Sequence, residues 1–146
     1  MIRKAIVTWL LMIPIAILNG GLRETLVKPH VGDLAAHQIS VVTGSLGFFA
    51  LVYIMLRHEV PAKADRWLLG LGSVWVLATV IFEFVFGHFV MGHSWSRLLA
   101  DYNFLQGRLW TVVLAVVAVA PLAVKRIVTR RHGSARTVDQ EHAATV

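Results

Sequence analysis

The sequence predicts an all-α integral membrane protein, a four-helix bundle with a short interfacial helix in the second outer loop. Hydrophobic residues make up 57% of the 146 residues and charged residues only 15%, whereas about a quarter of the residues in soluble domains are charged. Four long stretches of the chain contain no Asp, Glu, Lys or Arg. Most of the basic residues stand at the edges of these stretches. Together these features are typical of a polytopic membrane protein.

The four uncharged stretches are close to the length that crosses a bilayer. They cover residues 5–22, 38–56, 67–82 and 109–124. A spanning helix needs about 20 mostly apolar residues, so the third helix must continue past Glu83 and the fourth must include Arg108. We therefore predict one transmembrane domain over 1–131, with helices at about 4–22, 34–57, 66–91 and 104–125.

Two alternative interpretations of these stretches are less consistent with the sequence. The helices of a soluble bundle need a polar face at 3.6-residue spacing, and these stretches show none. A basic start at Arg3 and Lys4 before an apolar stretch also resembles a cleaved signal peptide, but no clear small-x-small site follows. We therefore expect a retained first helix, weakened by Pro14.

Helix-capping residues mark several of the predicted ends. Asp33 is a candidate N-cap of the second helix, and Asn103 with Gln106 forms a candidate capping box for the fourth. Ser94 is a candidate cap of a short helix that would lie flat in the outer interface. Its apolar stripe contains Trp95, Leu98, Leu99 and Tyr102. Residues 132–146 are polar and aperiodic, which predicts a disordered cytoplasmic tail.

The distribution of Lys and Arg predicts the orientation. With four spans, ten of the fourteen basic residues fall on one side: Arg3, Lys4, Arg57, Lys63, Arg66, Lys125, Arg126, Arg130, Arg131 and Arg136. The other four are Arg23, Lys28, Arg97 and Arg108. The positive-inside rule then puts both termini in the cytoplasm, most simply of a bacterial-type inner (plasma) membrane. The net charge of +6 thus reflects topology signals, and we expect a lipid bilayer and no nucleic acid as partner.

Glu83 is the most informative residue because it lies inside an apolar helix. It precedes Gly92 by nine residues, which places it ~13 Å below the outer end of the helix. An ionised carboxylate at that depth costs ~2.5 kcal/mol or more. Its helical face also carries small and polar residues suited to a bundle interior, namely Gly72, Trp75, Thr79, Phe86 and Gly87.

A polar cluster near the outer leaflet follows from this placement. It contains Arg23, Glu24, His37, Glu83, His88 and Arg108. Within it we predict an ion pair between Glu83 and Arg108. The alternative is that Arg108 reaches the outer surface while Glu83 is protonated. The candidate ligand or ion-pathway residues are Glu83, Arg108, Arg23, Glu24 and Asp101.

Four interpretations of this cluster remain open. The cluster holds the fold of an accessory or assembly protein, or it serves small-solute, ion or proton transport, for which so small a chain would form a homo-oligomer. Small and hydroxyl-bearing residues in the second helix either line such a pathway or pack closely against a neighbour: Ser40, Thr43, Gly44, Ser45 and Gly47.

The third interpretation is a haem or metal site, and the fourth is an enzyme. His37 and His88 lie at matching depths, as axial haem ligands would. With His30 and His93 they are also candidate transition-metal ligands, although no metal-binding spacing is present. An enzyme would use acid–base groups such as Glu83, Asp101, His88 and Arg108. No nucleophile motif, phosphate loop or HExxH accompanies them, so an enzyme is not favoured.

Short motifs between Gly20 and Pro121 resemble a known group of proteins. They are Gly20-Gly21-Leu22-Arg23-Glu24, Phe82-Glu83-Phe84-Val85-Phe86-Gly87, Asp101-Tyr102-Asn103 and Gly107-Arg108-Leu109-Trp110. These motifs are similar to those of small uncharacterised bacterial four-span inner-membrane proteins. That group has no established activity, so the resemblance implies the topology and no function.

Overall fold

The computed structural model describes residues 1–100, 102–103 and 107–144, with side chains to residue 131. Its helices are α1 (Ile2–Leu22), α2 (Lys28–Val31), α3 (Asp33–Leu56), α4 (Asp65–Val85), α5 (Trp95–Ala100) and α6 (Trp110–Ala144). Two π turns, π1 (Arg23–Val27) and π2 (Phe86–Val90), and one 3₁₀ turn (Val60–Ala62) complete the described elements. The protein is 87% helical, and the described part contains no strand. The all-α prediction is confirmed.

Four helical segments are long and apolar enough to cross a membrane. They are Ile2–Val31, Asp33–Leu56, Asp65–Val90 and Trp110–Arg131, with a mean hydropathy of 2.0 to 2.1. Their outward faces are rich in aliphatic side chains, such as Leu46 and Ile54, each 65% exposed.

The first helical segment is longer than the sequence predicts. α1 runs through Pro14 and continues through π1 and α2 to Val31, so the residues assigned to a first outer loop are helical. An i,i+4 salt bridge between Glu24 and Lys28 supports this extension. The chain reverses at Gly32, whose φ of 82° suits glycine. Gly32 also takes the cap position that we predicted for Asp33.

α5 packs over the C-terminal end of α4. The Ser94 hydroxyl accepts a hydrogen bond from the Arg97 amide at 3.3 Å, so Ser94 caps α5 as predicted. Leu98 is buried against Gly87, and Trp95 stacks on His88 with ring centroids 4.1 Å apart. The position of α5 in a membrane interface stays a prediction.

α6 begins later and ends later than the sequence predicts. It starts at Trp110, because residues 107–109 are held by α3 in a non-helical conformation: Gly107 has a φ of 76°, and its carbonyl accepts from Gln38 at 3.4 Å. Gln106, half of the predicted capping box, lies outside the described residues. The helical backbone continues to Ala144 through most of the predicted disordered tail, which contains no proline to stop it.

α1 packs on α3, and both α3 and α4 pack on α6. We call the half of the bundle that contains the N-terminus and the α3–α4 connection the inner half and the opposite half the outer half. The inner half has a close-packed aliphatic core. Its fully buried residues include Val52, Leu56, Val60, Leu68 and Val124. Ion pairs close this end: Lys125 with Asp65 at 2.7 Å, and Glu59 with Lys4 at 2.7 Å. The outer half contains the Gly32 turn, both π turns and α5.

Candidate functional site

Glu83 faces other helices in the outer half. Its Oε2 atom accepts a hydrogen bond from the Tyr102 hydroxyl at 2.6 Å and another from the Trp110 indole N–H at 2.7 Å. Two donors on one carboxyl oxygen replace much of the hydration that this group would lose in an apolar environment. Sequence reasoning placed Glu83 toward the bundle interior, but it identified neither donor. Both donors are aromatic residues, and in a sequence such residues are as consistent with core packing as with a hydrogen bond to Glu83.

Arg108 forms a different ion pair from the one that we predicted with Glu83. Its guanidinium pairs with Asp33 at 3.0 Å, and Asp33 also pairs with Lys28 at 2.9 Å. The physical reason is the later start of α6. Arg108 precedes the first turn of that helix, next to the start of α3, and Trp110 takes the position opposite Glu83.

The Asp33 contacts belong to a longer chain of ion pairs across the outer end, which we call the outer ion-pair chain. It runs from Arg108 through Asp33 and Lys28 to Glu24, which pairs with Arg23 at 2.9 Å. All five groups lie outside α1 and α6. The outer ion-pair chain therefore connects the α1–α3 turn to the start of α6.

His37 is buried, with 3% of its surface exposed, and it fixes the start of α6. Its Nε2 atom accepts a hydrogen bond from the Leu109 amide at 3.2 Å. An amide N–H can only donate, so Nε2 is unprotonated and the ring is the neutral tautomer with its proton on Nδ1. By holding Leu109, His37 also sets the position of the next residue, Trp110, and through it the contact with Glu83.

A cavity of about 270 Å³ lies between α1, α3, α4 and α6 in the outer half; we call it the outer cavity. Its polar lining comes from Asn19, Arg23, His37, Ser40, Thr79, Glu83 and His93. Its larger aromatic and aliphatic side chains are Trp9, Met12, Ile13, Ile17, Phe48, Phe82, Phe86, Met91, Leu98, Trp110, Val113 and Val117. A mostly apolar lining with a few converging polar groups is typical of a small-molecule site.

Asn19 joins α1 to α3 along one wall of the outer cavity. Its amide donates to the Ser40 carbonyl at 2.8 Å and accepts from the Thr43 hydroxyl at 2.7 Å. Gly44 makes room for it, because a Cβ atom there would lie 3.0 Å from Asn19 Nδ2. The small residues of α3 thus pack closely against α1, while Ser40 and Gly44 also line the cavity. One feature of the sequence points to Asn19, which is a single amide in an otherwise apolar stretch.

Trp9 forms the floor of the outer cavity. Its indole N–H donates to the Thr79 hydroxyl of α4 at 3.1 Å. Trp9 also lines a second, apolar pocket of about 240 Å³ between α1 and α4 in the inner half, which we call the inner groove. The groove is lined by Ile2, Ala5, Ile6, Trp9, Trp67, Leu71, Val74, Trp75 and Ala78. One indole ring therefore borders both spaces, a role that sequence reasoning missed.

The four candidate haem or metal ligands lie in three different environments. His37 and His93 line the outer cavity, whereas His88 stacks on Trp95 and donates from Nδ1 to the His93 carbonyl at 2.9 Å. His30 donates from Nδ1 to the Leu26 carbonyl at 2.8 Å. Among the described residues, no group of three or more His, Cys, Asp or Glu is arranged to hold a metal.

The remaining predicted site residues divide into two groups. Arg23 lines the outer cavity, and its neighbour Glu24 holds the Arg23 guanidinium through two hydrogen bonds. Asp101 lies outside the described residues. The structure therefore brings Glu83, His37 and Arg23 to one cavity.

Comparison with known proteins identifies no relative. No family model matches the chain, and neither a curated protein nor a solved structure matches it. Its function therefore has to be inferred from the site itself.

Proposed function

We propose that this chain is an integral membrane protein that crosses a bacterial-type inner membrane four times, with both termini in the cytoplasm. Four apolar helical segments support the insertion. Aliphatic side chains such as Leu46 and Ile54 cover their outward faces, where they would contact lipid. Ten of the fourteen basic residues on one side of the bundle support the orientation.

We further propose that the protein takes part in transport of a small solute, an ion or protons, with Glu83 as the binding group. One observation carries this proposal: the Glu83 carboxyl group lines a cavity of about 270 Å³ within the apolar part of the bundle. Ionisable residues inside membrane spans are costly and commonly mark substrate or ion pathways. A purely structural carboxyl group would not need an adjoining space large enough for a ligand.

The position of Trp9 supports transport over simple binding. The outer cavity and the inner groove lie along the same boundary between α1 and α4, and the Trp9 indole borders both. Rotation of this side chain, with loss of its hydrogen bond to Thr79, would connect the two spaces. A chain of 146 residues is small for a transporter, so we propose that a homo-oligomer is the active form.

Proton flux into proteoliposomes tests this proposal. The full chain is reconstituted with an internal pH-sensitive dye, and a potassium gradient with valinomycin supplies the membrane potential. We expect Glu83→Gln to reduce the flux at least about tenfold, because an essential titrating group is removed, and Glu83→Asp to retain part of it.

Glu59→Gln is the matched control, because Glu59 lies in the α3–α4 connection, away from the outer cavity. It should leave the flux unchanged. The same assay is then run with labelled small solutes and ions. Equal flux in wild-type and Glu83→Gln proteoliposomes for every species would overturn the transport proposal.

A further inference from the structure

The outer cavity is lined by several aromatic rings as well as by Glu83. Phe82 and Phe86 stack on each other with centroids 5.2 Å apart, and both line the cavity. Trp110 lines it beside Glu83, and Trp9 lies at its floor. The faces of aromatic rings carry partial negative charge and attract cations, especially where water is excluded. The lining thus combines two features that favour a positively charged ligand.

The neighbouring polar groups do not reverse this preference. The two described donors to Glu83, Tyr102 and Trp110, are neutral, so their hydrogen bonds leave the formal charge of the carboxylate in place. His37 is neutral because its Nε2 atom accepts an amide hydrogen bond. Arg23, which also lines the cavity, is paired with Glu24 through its guanidinium. Glu83 is therefore the acidic group of the described cavity lining.

The size and surroundings of the cavity limit the ligand further. An apolar cavity of ~150 Å³ holds a benzene molecule, so about 270 Å³ accommodates one ring with a small head group. The helices that border the cavity also expose apolar side chains, such as Ile17 of α1, which lines it, and Ile81 of α4, 55% exposed each. A ligand reaching the cavity there would first dissolve in lipid, which requires a large apolar part.

We propose that the outer cavity binds hydrophobic organic cations, molecules with an aromatic ring and a substituted ammonium group. The ammonium group lies against Glu83 and the faces of Phe82 and Trp110, and the apolar part extends toward Trp9. This inference rests on the proposed function and names the ligand class of the same site.

The test uses two probes of the same shape and different charge. Phenyltrimethylammonium carries the positive charge, and tert-butylbenzene replaces its nitrogen with carbon. Each is titrated into the full chain in detergent micelles, with ¹⁵N-labelled tryptophan. The chain has five tryptophans, so the indole signals of Trp9 and Trp110 report the cavity while Trp67 and Trp95 serve as internal references.

We expect phenyltrimethylammonium to shift the Trp9 and Trp110 signals in a saturable manner and the reference signals much less. Its affinity should exceed that of tert-butylbenzene by about tenfold or more, the contribution expected from a desolvated cation–π contact and an ion pair. Glu83→Gln should remove this difference.

A second pair of variants keeps the test valid if Glu83→Gln fails to fold. Phe82→Leu removes an aromatic wall of the cavity, and Phe89→Leu removes an exposed ring outside it. Phe82→Leu should weaken phenyltrimethylammonium binding severalfold and leave tert-butylbenzene binding nearly unchanged. Phe89→Leu should change neither.

The possible failures are distinguishable. Equal binding of both probes in wild type and in Glu83→Gln overturns the cation class, and so does the absence of any saturable shift at Trp9 and Trp110. Neither result affects the transport proposal, which the flux assay decides. Conversely, Glu83-dependent cation binding together with Glu83-independent flux supports the ligand class and overturns transport.

Discussion

The same helices pack in two different ways along the length of the bundle. In the inner half, aliphatic residues such as Leu56, Leu68 and Val124 are completely buried. There Gly72 of α4 meets α6 so closely that a Cβ atom would lie 1.9 Å from the Ala118 carbonyl oxygen. In the outer half, these helices instead border a cavity of about 270 Å³ that contains the Glu83 carboxyl group.

Residue size and backbone conformation explain the difference. A glycine at the Gly72 crossing allows the backbones of α4 and α6 to approach, whereas the bulky residues Phe82, Phe86 and Trp110 line the cavity farther out. Both π turns also lie in the outer half, at Arg23–Val27 and Phe86–Val90. Such turns occur often at functional sites. The inner half therefore stabilises the fold, and the outer half has the shape of a binding site.

The largest loss of stability should come from adding one methyl group at Gly72, where α4 crosses α6. Gly72→Ala places its Cβ against the Ala118 backbone, which cannot rotate away, so we expect a loss of about 3 kcal/mol or more in unfolding free energy. Gly70→Ala on the same helix has no atom within 4 Å of its new Cβ and should be neutral or slightly stabilising.

Gly87→Ala extends this test to the outer half. Its new Cβ would lie 2.7 Å from the end of the Leu98 side chain, which can change rotamer, so the loss should be smaller than at Gly72. Reversible unfolding in mixed micelles measures all three variants. Equal stability of Gly72→Ala and Gly70→Ala would mean that the inner half is not more closely packed.

A smaller effect is expected at the Glu83 site. Trp110→Phe keeps an aromatic ring but removes the donor to Glu83 Oε2, so we expect a loss of about 1–3 kcal/mol. Trp67→Phe makes the same chemical change at the inner end and should have little effect. In a Glu83→Leu background the cost of Trp110→Phe should largely disappear. If Trp110→Phe lost the same stability in the Glu83→Leu variant as in wild type, Trp110 would act by packing alone.

The smallest expected effect is the pH dependence of stability that arises from Glu59 at the inner end of the bundle. Hydrogen bonds from Lys4 and the amino terminus hold the pKa of Glu59 below its ordinary value of 4.5. A lowered carboxyl pKa stabilises the folded state above the unfolded-state value, and the contribution is lost as the pH falls through the folded-state pKa. The effect is small because the Lys4 side chain is exposed to solvent, which screens its interaction with Glu59.

Thermal unfolding in micelles checks this linkage. The midpoint should fall more for wild type than for Glu59→Gln as the pH decreases below about 4.5. At neutral pH wild type should be slightly the more stable of the two. Identical pH profiles would show that the Glu59 contacts do not stabilise the inner end.

Sequence reasoning succeeded where the cause is local. Long uncharged stretches predicted the four apolar helices, because hydropathy over about 20 residues depends on neighbouring residues only. Ser94 as the cap of α5 is likewise a contact within one turn. The partner of Arg108 was wrongly predicted, because it depends on where α6 begins. Contacts from Gln38 and His37 on α3 decide that position.

The amino-acid sequence by itself determined an all-helical chain with four long apolar segments and one carboxyl group within the third. These properties follow from residue type and helical period, which need no knowledge of neighbouring helices. Only the tertiary structure decided that Tyr102 and Trp110 bind Glu83, that Trp9 lies between two pockets, and that a cavity is present at all. A cavity forms where several helices do not fill the space between them. The spacing of the helices depends on contacts between residues far apart in the chain, which the sequence does not reveal.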